Sequence, residues 1–261
     1  MPLPRESAAP TVVVLDAAAS TNDELRARVP GAAEFTVVAT TNQTGGRGRL
    51  GRTWIAPPGQ CLAASVLLRP ASANGTPVDI ERWGWMPLLA GVAMTRAVQS
   101  VVPGSAPSLK WPNDVLVRGR KVCGILAELL PGGDGVIVGA GVNLTIPDDA
   151  LPVPTATSLL IEAAATGDPL PGDLARTVLD AWLAELRPLY AGFITGDSDA
   201  RDSVVATCST PGQTVRVELP DGSTLLGDAV DIDDSGRLVV TGRDGARQAV
   251  AAGDVTHLRY E

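Results

Sequence analysis

The chain has 261 residues, 45% of them hydrophobic, and carries a formal charge of −8 from 29 Asp+Glu against 21 Lys+Arg. Its length allows one large core or a core plus a small module, and its isoelectric point near 4.7 argues against bulk nucleic-acid binding, which draws its affinity from Lys and Arg on phosphates. A single histidine, His257, leaves no material for a Ser-His-Asp triad or an H-E-x-x-H zinc site.

In chain order, TVVVL (11–15) reads as a strand, and Ser20-Thr21-Asn22-Asp23-Glu24 as a capped helix start with acids in its first turn. FTVVAT (35–40) and CLAASVLLR (61–69) read as further strands, and 82–101 as a buried helix with Pro87 near its start. SLKWPNDVLV (108–117), a tight RGRK turn (118–121), VCGILAELL (122–130) and GVIVGAGVNL (135–144) suggest central strands joined by hairpins. Leu174, Val178, Leu179, Trp182 and Leu186 mark an amphipathic helix over 172–190, with a shorter helix at 199–207 and Pro- and Gly-rich loops at 70–77 and 147–155.

From Thr210 onward, QTVRVEL, LLGDAVDI, RLVVTG and RQAVAA alternate with turns at 220–222, 234–236 and 244–245, which describes a small β-barrel. The chain therefore divides into an α+β domain (1–207) and a β module (208–261). No apolar run approaches the roughly 18–20 residues needed to cross a bilayer. The N-terminal apolar run is too short for a signal peptide. Cys61, Cys123 and Cys208 are odd in number and contain no C-x-x-C. These features predict a cytoplasmic protein without membrane attachment.

QTGGRGRLGRTW (43–54) places Arg47, Arg49 and Arg52 among four glycines. Gly46 to Thr53 nearly matches a P-loop, but Pro57 and Pro58 forbid the helix that must follow one. An RGG-type single-strand binder recurs along basic disordered chains, whereas this segment occurs once between strands of an acidic domain. A loop closing over a small anionic ligand suits it best: glycines let the backbone reorder and arginines supply forked donors. A second cluster, Lys110 and Lys121 flanking Trp111-Pro112-Asn113-Asp114 on strands read as adjacent, could converge with the loop on a nucleoside triphosphate and its magnesium. Gly139-Ala140-Gly141-Val142-Asn143 marks a bulge or a backbone against which a ligand lies.

The chain resembles the biotin protein ligases. GRGRLGRTW (46–54) matches their G-R-G-R-x-G-R-x-W loop, and KWPNDVLVRGRKVCGILAEL (110–129) matches their K-W-P-N-D…K-x-x-G-I-L-x-E segment. STN at 20–22, Gln43 and GAGVN at 139–143 fit in order and spacing, and the resemblance covers about residues 12–261. It implies an α+β fold, with a mixed central β-sheet flanked by helices, the class II synthetase-like catalytic domain, and a C-terminal SH3-like β-barrel. It also implies two steps: biotin and MgATP give biotinoyl-5′-AMP and pyrophosphate, and the adenylate then acylates one lysine of a biotin carboxyl carrier domain of an acyl-CoA carboxylase. By the same resemblance Arg47 and Arg49 clamp the biotin carboxylate and α-phosphate, Lys121 stabilises the transferring charge, and Lys110 and Arg259 serve the ATP phosphates. Asn113 and Asn143 serve adenine, ribose or the magnesium side, Trp54 stacks near adenine, and Asp114 receives or orients the lysine amine. Ser20, Thr21, Asn22, Gln43, Gly46, Gly48, Gly124, Gly139 and Gly141 join Arg47, Arg49 and Lys121 around biotin.

Bifunctional members carry a DNA-binding winged helix before the catalytic domain. Here the first catalytic strand begins near residue 11, so neither a repressor role nor a nucleic-acid partner is expected. Leu50 occupies the family's variable position, and Arg52 has no assigned role beyond anchoring the loop. A lipoate or octanoate transferase shares the fold but lacks the paired motifs, and a non-catalytic biotin-sequestering module would not need the phosphate-side cations. Edge strands permit a monomer or a weak homodimer.

Overall fold

The structure, a computed structural model, describes residues 11–72 and 74–258. In chain order its first elements are β1 (Val12–Val14), α1 (Thr21–Arg28), β2 (Val37–Thr40), β3 (Gly46–Arg47), β4 (Thr53–Trp54), β5 (Cys61–Leu68) and α2 (Trp85–Val101). Then come β6 (Ser108–Lys110), β7 (Asp114–Val117), β8 (Arg120–Leu129), β9 (Val136–Asn143), α3 (Leu159–Thr166), α4 (Leu174–Thr195) and α5 (Ser198–Thr207). Seven strands form one sheet in the order β1-β2-β5-β9-β8-β7-β6. β1 and β2 run parallel and the remaining pairs antiparallel. The mixed sheet flanked by helices is the one expected.

Both faces of the central strands are apolar, so successive residues feed two cores. Val37, Ala39, Val66, Leu68, Val136 and Val138 point into the larger core, shared with α2 and α4, while Val38, Leu67 and Ile137 join Leu25 of α1 and Leu130 in the smaller one. α2 is buried on nearly every side, as its sparse charge suggests. On the opposite face α1 has only eight residues. Further along that face the strands carry Ser65, Gly139 and Gly141 instead of large apolar groups. Over this half lies the β3–β4 hairpin, whose Trp54 packs on Gly141.

Three features differ from expectation. α3 was not read from the sequence, because Glu162 interrupts its apolar run; its ends nevertheless carry standard signals, Ser158 accepting from Ile161 N and Gly167 closing at φ +78°. Lys110 and Lys121 do not lie on neighbouring strands: β7 separates β6 from β8. α4 also runs past the anticipated end at 190, through Pro188 to Thr195.

The C-terminal residues form a second, antiparallel sheet of β10 (Thr214–Glu218), β11 (Thr224–Ile232), β12 (Leu238–Gly242), β13 (Arg247–Val250) and β14 (Asp254–His257), ordered β13-β12-β11-β10-β14. This is the SH3-like module; the sequence reading missed only β14. Its β11–β12 turn docks onto the main sheet's side. Trp85 Nε1 donates to Asp234 O at 2.9 Å and Trp111 Nε1 to Gly236 O at 3.0 Å. Gly236 has φ +79°, and a Cβ there would lie 2.8 Å from the Gly84 carbonyl carbon, so this position admits only glycine without displacement.

Candidate active site

The arginine-rich loop forms a hairpin. Gly46 pairs with Trp54 and Arg47 with Thr53, and the tip between them is a single 3-10 turn with Leu50 at φ 55° and Gly51 at φ 73°. Its base is stitched to the segment before α1, where Thr44 N and Gly45 N donate to Ala18 O and Ala19 O. A Cβ on Gly46 would meet Trp54 O at 2.5 Å and Gln43 Nε2 at 2.6 Å, which explains that glycine.

The three arginines have different partners. Arg47 makes a bidentate contact with Asp23 at 2.5 and 2.7 Å and reaches Glu128 at 3.4 Å. The Arg47 hydrogen bond is the largest influence on Asp23 and holds its carboxyl below the usual carboxylate range. Arg49 instead donates to Asn113 Oδ1 at 3.0 Å and to Gly253 O at 3.2 Å. Burial lowers the Arg49 guanidinium from its ordinary pKa. Arg52 pairs with Asp254 on β14. Burial would raise Asp254, but Arg52, Lys110 and Arg49 together hold it low. Arg52 thus anchors the loop to the C-terminal module, while Arg47 and Arg49, which the resemblance assigns to the biotin carboxylate and the α-phosphate, are tied to Asp23 and to Asn113 and Gly253.

Beneath the hairpin lie two clusters. In the first, Ser20 caps α1 by accepting from Asp23 N at 3.4 Å, and Thr21 N donates to Gln43 Oε1 at 2.9 Å. Asn22 lies over Gly139, where a Cβ would come within 2.4 Å of its Oδ1. The space above Gly139 therefore holds the Asn22 carboxamide. In the second cluster the Trp54 indole lies on the cross-strand pair Gly124 and Gly141; a Cβ on Gly141 would fall 2.7 Å from Trp54 Cε2. Trp54 Nε1 is buried without an acceptor among the described residues. Lys121 Nζ sits 5.6 Å from the Trp54 ring centroid and 2.7 Å from Asp114 Oδ1. Gly141→Ala should therefore unseat the indole and expose residues 43–54 to limited proteolysis while the melting temperature changes little. Unaltered cleavage would contradict this seating.

The main chain of Lys121 is held on both sides: its N–H donates to Thr155 O at 2.7 Å and its carbonyl accepts from Thr157 N at 2.8 Å. Asn143 is buried and donates to Thr157 O at 2.9 Å, so its amide supports this segment. A cleft of about 560 Å³ opens between the main sheet and the C-terminal module, lined by Arg49, Trp111, Pro112, Asn113, Gly236 and Ala252 among others. Lys110 stands close enough to Asp254 to help hold its carboxyl low. Gly48 N donates to Arg52 O within the hairpin turn. Arg259 lies outside the described residues. Sequence reasoning missed Asp23, Ser65, Glu128 and Asp254. Of these Glu128 left the clearest signal, a lone carboxylate in the apolar run ILAELL.

The Biotin/lipoate A/B protein ligase family matches residues 15–143, and the biotin protein ligase C terminal domain matches residues 210–258. A biotin–[acetyl-CoA-carboxylase] ligase of Mycobacterium tuberculosis is 38% identical, covering 92% of this chain and 86% of its own. The chain belongs to the biotin protein ligase family. Another such ligase, from Paracoccus denitrificans, is 31% identical over 90% of this chain and 96% of its own. Among solved structures, the biotin protein ligase from Aquifex aeolicus in complex with biotin and ATP superposes with a TM-score of 0.75 at 25% identity, covering 96% of this chain and 99% of that one. The two long motifs noted in the sequence fall on the β3–β4 hairpin and on the strands β6 to β8.

Proposed function

We propose that this chain is a biotin–[acetyl-CoA-carboxylase] ligase: it activates biotin with MgATP as biotinoyl-5′-AMP and transfers the biotinoyl group to a lysine of a biotin carboxyl carrier domain in the cytoplasm. The observation that carries the site assignment is the placement of Lys121. Its ammonium stands beside Gly124, within reach of the Trp54 ring and next to Asp114.

In the first step the biotin carboxylate oxygen attacks the α-phosphorus, the bond to the bridging oxygen of pyrophosphate breaks, and pyrophosphate leaves. Two anions must approach, so fixed cations in a water-poor site lower the barrier. Lys121 supplies that charge, with Arg49 and Lys110 on the nucleotide side near Asn113 and the cleft. Arg47, exchanging Asp23 for substrate, supplies the carboxylate side, and the unpartnered Trp54 Nε1–H is a donor kept for a ligand oxygen. In the second step the carrier lysine amine attacks the acyl carbon, the acyl–oxygen bond to AMP breaks, and Asp114 accepts the proton the amine sheds. Thr21 and Gln43 hold the ring end of biotin.

The reading is tested by incubating the full chain with a purified biotin carboxyl carrier domain, biotin and MgATP. One biotinoyl addition at a single lysine, measured by intact mass, is expected, and it should vanish without ATP. A carrier domain left unmodified would refute the assignment.

A further inference from the structure

Across the floor of the site, on the α1 face, a continuous line of polar side chains leads from Thr21 and Gln43 to Ser65, Asn22 and Glu128, and no step above uses these last three. Asn22 Nδ2 donates to Glu128 Oε2 at 2.6 Å, and Asn22 Oδ1 accepts from Ser65 Oγ at 2.6 Å. Ser65 Oγ is 2.7 Å from Thr21 Oγ1, which is 3.2 Å from Gln43 Oε1. Asn22, Ser65 and Thr21 are all buried, so water cannot substitute for a missing partner.

The direction of this line follows from its end. An ionised carboxylate only accepts, so the Asn22 amide must turn its nitrogen to Glu128 and its oxygen to Ser65. Ser65 has one proton, which goes to Asn22, leaving its oxygen to accept from the Thr21 hydroxyl. Thr21 Oγ1 then has lone pairs to offer. At the same point the Thr21 N–H occupies Gln43 Oε1 at 2.9 Å, leaving Gln43 Nε2 as a donor. The ring end of the pocket thus presents an acceptor beside a donor, the complement of an –NH–C(=O)– unit such as a cyclic urea. Gly139 belongs to the same device, because any side chain there would collide with Asn22.

We infer that Glu128 and Ser65 are positioning residues that act through Asn22 to fix the hydrogen-bond polarity of the ring-binding end, and so its selection of a urea ring. The inference rests on the biotin reading for its ligand, but the relay itself is a property of the free protein. Ser65→Ala is the cleaner probe, since Ser65 is fully buried and does not touch Arg47, whereas Glu128 does at 3.4 Å.

The test measures biotin affinity of the full chain, by calorimetry, in the wild type, Ser65→Ala, Glu128→Gln and the double variant. Side-chain amide proton exchange of Asn22 is followed by NMR without biotin. Each single change should weaken biotin binding about tenfold, and the double variant should be no weaker than the worse single. Ser65→Ala should leave turnover at saturating biotin and the KM for ATP unchanged, which a general structural defect would not do. Asn22 amide protons should exchange slowly in the wild type and faster in both variants. Additive losses of about a hundredfold in the double variant, or Asn22 exchange indifferent to Ser65→Ala, would overturn the relay. A wild-type chain without biotin affinity would instead defeat the ligase reading, while the Asn22 exchange would still decide the relay.

Discussion

Lys121→Ala is expected to abolish most adenylate formation, by a factor of about 10²–10³, while biotin binding stays within a few-fold of wild type. A unit charge about 4 Å from a developing anion is worth roughly 4 kcal/mol at the effective dielectric of a partly exposed site, and Lys121, beside Trp54 and Asp114, is the cation proposed to face that charge. Its loss also strips Asp114 of the ammonium 2.7 Å away, adding a bare carboxylate where two anions must meet. Binding survives because Thr21 and Gln43 lie in the other cluster, and the Lys121 main chain remains held by Thr155 and Thr157. Single-turnover adenylate formation together with equilibrium biotin binding separates the two effects. Unchanged turnover would show that the chemistry lies elsewhere.

Arg118→Ala should cost roughly 2–3 kcal/mol of stability, less than the full value for a buried ion pair because Arg118 is half exposed. The β7–β8 turn holds Arg118 at φ +50° and Gly119 at φ +75°, which carries the guanidinium to the fully buried carboxylate of Glu162. Thr157 Oγ1 donates to the other Glu162 oxygen at 2.5 Å. Alanine bears the same left-handed penalty as arginine at position 118, so the difference reports the ion pair rather than the turn. Removing Arg118 leaves a buried charge with one neutral donor. A melting-temperature drop of roughly 5–10 °C is expected for a chain of this size, and Glu162→Gln, which removes the charge itself, should lose less. Because Thr157 also pairs with Lys121, turnover should fall well below the melting range. A shift under about 1 °C would contradict a structural role for the pair.

Much of the fold was legible because the central strands are β-branched runs whose two apolar faces need helices on both sides. Ser20 announced α1 and the turns at 220–222, 234–236 and 244–245 announced the C-terminal strands. α3 escaped because its buried Glu162 reads as a surface residue until Arg118, remote in sequence, arrives to pair with it. Two motifs pointed to the hairpin and to the β6–β8 strands, but the partners of their side chains were not legible. Arg47 and Arg49 are two residues apart, yet the hairpin sends one to Asp23 on α1 and the other to Asn113 and Gly253. Gly139 and Gly141 look alike on one strand, yet one makes room for Asn22 and the other for Trp54. Such distinctions depend on long-range partners, which spacing along the chain does not encode.

This site is proposed to join a biotin carboxylate to the α-phosphate of ATP. The most direct measurement is exchange of labelled pyrophosphate into ATP by the purified full chain, with biotin, with lipoate and with neither. Exchange that requires biotin, and that lipoate does not support, is the predicted result. Exchange with lipoate but not with biotin would show that the chain is not a biotin ligase.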